Sequence, residues 1–82
     1  MKYPGVRLVV PQKKYEACNR YDLIGYATMA MALQGVPQRE LDEMKFVLYN
    51  YHKTKEEVYE KLKDFVNVIP IPEDEDDEHK SD

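Results

Sequence analysis

LIGYATMAMAL, residues 23–33, carries no charge over eleven positions, and its reading decides the fold. At about 100° per residue on a helical wheel, Leu23, Ile24, Tyr26, Met29, Met31 and Leu33 scatter right round the axis. A helix that is apolar on all sides lies at the centre of its domain or shares a face with a partner. The segment therefore predicts a central helix with more apolar surface than one small core can absorb. Gly35 is placed to end it as a C′ residue, with Val36 behind it as the usual apolar contact.

Upstream, residues 12–20 read QKKYEACNR and predict a short helix opened by Pro11. It should not run unbroken into the central helix. On one continuous wheel Glu16 and Arg20 fall on the same side as Ala27 and Ala30, which would put charges beneath the apolar stripe. A break near Asn19 to Asp22, with Asp22 as N-cap, resolves this. Before it, Val6, Leu8, Val9 and Val10 form a β-prone run between Gly5 and Pro11, a short strand.

Downstream, Pro37 opens a second helix at its first position. Leu41, Met44, Val47, Leu48 and Tyr51 form one apolar stripe, and Phe46 and Tyr49 lie outside it. Thr54 and Glu57 form an S/T-x-x-E capping box, so a third principal helix starts at Lys55. Its stripe is Val58, Tyr59, Leu62, Phe65 and Val66, with Glu57 and Lys61 as an i,i+4 pair on the solvent side. Residues 67–72, NVIPIP, are extended, and their prolines confine them to an edge strand or a packed strap. The expected architecture is mainly α: a small bundle of about three helices with short extended segments near both termini. The alternative is α+β, with those two segments paired.

Eighty-two residues make one domain, expected over 1–72. Charge is unevenly spread. Residues 1–34 hold five bases against two acids, whereas 73–82 hold seven acids against Lys80. Like charges at that density cannot pack a core, so 73–82 is expected to be a disordered acidic tail. The absence of a long apolar run or an N-terminal apolar leader predicts a cytoplasmic chain with no membrane partner.

Chemistry is sparsely provided. Gly5, Gly25 and Gly35 are too scattered for a phosphate-cradling loop, and the one serine, Ser81, lies in the acidic tail. Cys18 and His52 are the one conceivable Cys–His pair, and nothing in the sequence supplies the orienting third group. One cysteine and two distant histidines, His52 and His79, do not make a metal site. The expectation is no catalytic residue, no metal and no cofactor.

What remains is surface. The candidate partner-contacting residues are Phe46, Tyr49, Tyr26, Met29 and Met31. They support a non-enzymatic protein–protein interaction module, a small regulator, inhibitor or adaptor of phage- or mobile-element-like compactness, binding another protein or itself. A chain this size with no disulfide is only marginally stable alone, which favours association. The alternative is a nucleic-acid-binding regulator. It would use Lys13, Lys14, Arg20, Tyr15 and Tyr21, aromatics among bases that stack and hold phosphates, or a helix-turn-helix formed by the second and third helices. The acidic first turn Lys55-Glu56-Glu57 and the pI of 5.1 weigh against direct DNA reading.

Overall fold

The computed structural model describes residues 2–71. Strand β1 spans Tyr3–Pro11, followed by helices α1 (Gln12–Ala17), α2 (Arg20–Leu33), α3 (Gln38–Tyr51) and α4 (Lys55–Phe65), and strand β2 (Val66–Ile71). The chain is mainly helical, with a two-stranded parallel sheet. The terminal extended segments do pair, and Leu8 lies opposite Val68, Val9 opposite Ile69 and Val10 opposite Pro70. A parallel pair requires a crossover, and all four helices form it. The region expected to form the acidic tail, 73–82, lies outside the described residues.

Each helix boundary has a local cause. The chain breaks at Cys18 and Asn19, as the wheel requires, but the N-cap of α2 is Asn19 and not Asp22. Asn19 Oδ1 accepts from the Asp22 amide at 2.8 Å, and Asp22 Oδ2 accepts from the Asn19 amide at 3.4 Å, a complete capping box. Asp22 is thus the N3 member of the box. At the other end Gly35 adopts φ +95°. The Gly35 amide donates to Ala32 O and the Val36 amide to Met31 O, both at 3.1 Å, which is a Schellman motif. Pro37 sits one place earlier than expected, as the N-cap of α3. In α4 the Thr54 hydroxyl accepts from the Glu57 amide at 3.1 Å. The Glu57 carboxylate accepts from the Lys53 amide, also at 3.1 Å. Glu57 is thereby drawn to the cap, and Lys61 pairs with Asp64 at 3.5 Å instead.

One core joins every layer. Leu8 and Val10 of β1 and Val66 of β2 meet Leu23, Ile24, Ala27 and Met31 of α2, Leu41, Met44 and Leu48 of α3, and Val58 and Leu62 of α4. No polar or charged residue is buried among the described residues. The α3 stripe is narrower than its sequence suggests: Tyr51 is exposed, its ring edge-on to Phe46 at 6.5 Å.

Candidate interaction surface

Two cationic side chains hold the helix ends together. Arg20 Nη1 donates to His52 O at 3.1 Å and Tyr49 O at 3.3 Å, covering carbonyls that the end of α3 leaves unpaired. The cation also meets the negative end of that helix. Its other nitrogen donates to the Tyr21 hydroxyl at 2.7 Å, and its guanidinium lies over the Tyr21 ring. Lys55 serves α1 in the same way, donating to Tyr15 O at 2.8 Å while lying over the Tyr15 ring.

These contacts bear on the candidate nucleic-acid residues. Arg20 is bonded within the chain. Tyr15 is half-buried, edge-on to Tyr59 at 5.0 Å, and burial raises the pKa of its hydroxyl. Lys14 lies over the Tyr26 ring at 4.6 Å, and Lys13 is exposed. Tyr21 stacks on Tyr49 with centroids 5.8 Å apart. Arg20, Tyr15 and Tyr21 are thus engaged within the chain, Lys14 and Tyr21 line one groove, and Lys13 is exposed with no contact of its own among the described residues. Cys18 is half-buried, its thiol near Tyr15 O, while His52 lines a different cleft with Glu56 and Glu57. Among the described residues, no three His, Cys, Asp or Glu side chains group as a metal site, and no helix is long and apolar enough to cross a membrane.

The candidate contact residues divide differently. Met31 is buried, 1% exposed, and belongs to the core. The uncharged segment gave no means of choosing its inner face, and Met31 is the residue whose carbonyl anchors the Schellman turn. Tyr26 is half-buried, with its hydroxyl donating to Val9 O. Met29, at 66%, and Phe46, at 61%, are exposed, and Tyr49 is partly so. Two residues outside the candidate set join them: Tyr21 and Leu33, the latter 82% exposed. Tyr21, Gly25, Met29 and Leu33 follow one another at four-residue spacing, so they line one outward ridge of α2. The signal for Leu33 was its place in that spacing. The Tyr21–Tyr49 stack carries the apolar surface onto α3, where Phe46 continues it. Beside the ridge, α1 and α2 flank an open groove of about 650 Å³, with Lys14 and Asp22 in its lining beside Tyr21, Gly25, Tyr26 and Met29.

No protein-family model, curated protein or solved structure matches the chain.

The sheet edges are treated in the opposite way to this helix face. Gln34 Oε1 accepts from the Arg7 amide at 2.8 Å, and Gln34 Nε2 donates to Arg7 O at 2.6 Å. With Tyr26 on Val9 O, these bonds occupy the outer edge of β1. Since Arg7 and Val9 turn their backbone groups outward, Leu8 and Val10 turn theirs toward β2. Parallel pairing then directs the backbone groups of Val68 and Pro70 to the outer edge of β2. Pro70 has no N–H to offer there, which blunts that edge.

Proposed function

We propose that this chain is a non-enzymatic protein–protein interaction module, a small regulator or adaptor that binds through the outer face of α2 and the adjoining turns of α3. The observation that carries the reading is the exposed apolar surface of Tyr21, Met29, Leu33, Phe46 and Tyr49, on a molecule whose sheet edges are both blunted. Chains that stand alone rarely leave large contiguous apolar patches uncovered. Aromatics and methionine are also enriched where partners bind.

The test compares tagged full-length wild type with the double variant Phe46→Ser, Tyr49→Ser and with Met29→Glu. Both variants should keep the wild-type circular dichroism spectrum, because none of the replaced side chains belongs to the buried core. Partner capture from lysate should survive nuclease treatment and be lost in both variants. Capture that disappears with nuclease, or affinity that collapses between about 50 and about 200 mM salt, would instead support a nucleic-acid role. Loss of fold in the double variant would place Phe46 and Tyr49 in the core and refute the reading.

A further inference from the structure

Among the described residues, nothing packs against Gly25. It lies inside α2, with an ordinary helical backbone, and nothing stands within 4 Å of where a Cβ would be. A glycine in a helix interior costs stability relative to alanine and is retained where another backbone or a ligand comes close. Here the approach must come from outside, since Gly25 is exposed.

The ridge that contains it is complementary to itself. Laid antiparallel across a two-fold axis beside Ala27, it sets Gly25 opposite Met29 of the other copy and Tyr21 opposite Leu33. A long, flexible side chain thus meets the glycine notch, and a ring meets an aliphatic side chain. A two-fold interface requires this reciprocity: if residue i meets j, then j meets i. Charge permits it as well. From Leu23 to Leu33 there is none, and Asp22, at the N-terminal end, would stand about 15 Å along the axis from its mate. The uncovered parts of Tyr21, Met29, Leu33, Phe46 and Tyr49 amount to on the order of 600 Å² at the areas typical of large side chains. That approaches the roughly 800 Å² per partner of a standard interface.

We propose that α2 docks antiparallel on α2 of a second copy of this chain, Met29 of each filling the space over Gly25 of the other. The inference rests on the interaction-module reading and names its partner. Sedimentation equilibrium of the full chain tests it, from about 1 to about 300 µM, a span that brackets the micromolar end for interfaces of this size. The expected mass rises from that of a 9.7 kDa monomer toward twice that value. Gly25→Ala should raise the melting temperature in dilute solution yet weaken association at least tenfold, because the same methyl favours the helix and fills the notch. Gly25→Leu and Met29→Glu should both be folded monomers. A wild type that stays monomeric throughout overturns the dimer. If capture of another protein remains sensitive to Phe46→Ser, Tyr49→Ser, the module reading survives that result. A dimer unchanged by Gly25→Leu also overturns the proposal, since the copies would then meet elsewhere.

Discussion

Glu40 ties the start of the chain to α3. Lys2 Nζ donates to its carboxylate at 2.6 Å. The hydrogen bond from Lys2 is the main reason its pKa is lowered, with Tyr3 adding a second; the same bond raises the pKa of Lys2. The signs give a defined window. A carboxylate with a depressed folded pKa contributes stability that is present above its ordinary value, about 4.3. That contribution is lost as pH falls through the folded value. The lysine contribution is present below its ordinary value and is lost as pH rises through the raised one. Glu40→Gln should therefore flatten the acid limb of a melting-temperature profile, its difference from wild type vanishing only below the depressed folded pKa of Glu40. The pair is exposed and screened, so the effect at neutral pH is small and shrinks with salt. An unaltered acid limb would mean that other carboxylates control it.

At the scale of elements, α4 offers the sharpest contrast between cap and core. Thr54→Ala removes the acceptor for the Glu57 amide and should cost about 1 kcal/mol. Leu62 is fully buried, and Leu62→Ala should cost about 2–5 kcal/mol. Paired denaturant titrations check both, and a neutral Leu62→Ala would mean that another face of α4 is packed. The cap and the buried stripe of this helix were legible in the sequence because both rest on fixed spacing. So were Gly35, where the turn needs φ above zero, and the pairing of the terminal segments as the alternative arrangement. Other features were not legible, each for a physical reason. Asn19 and Asp22 are both good caps, and only the reciprocal bond between them assigns their places. Residues 23–33 lack the polar half of an amphipathic pattern, so Met31 and Met29 could not be told apart as inner and outer. Gln34 and Arg20 act at sequence separations of 27 and 29 or more, which no local pattern records.

For the whole molecule, the parallel sheet sets the order in which structure can be completed. Leu8 meets Val68 at the far end of the chain, with all four helices between. Closing a loop of about 60 residues costs on the order of 3–4 kcal/mol before that pairing returns anything. The helices, with their nearer contacts, should consolidate first. Val66→Ala should thus speed unfolding and barely slow folding, provided it destabilises by more than about 0.6 kcal/mol, the limit for a usable ratio of rates. Stopped-flow chevrons give both arms, and a folding arm slowed in full proportion would make strand closure the early event. Synthesis meets the same constraint in real time. At about 5–20 residues per second, β1 is synthesised roughly 3–12 s before β2. Over that interval Leu8, Val9 and Val10 are an unpaired apolar strand, whose cover within the chain comes from α1 and α2. Gln34 and Tyr26, both on the α2 side, can occupy the outer edge of β1 as soon as that helix forms. The contacts that blunt a finished edge would then also shield a nascent one, before its proper neighbour has been made.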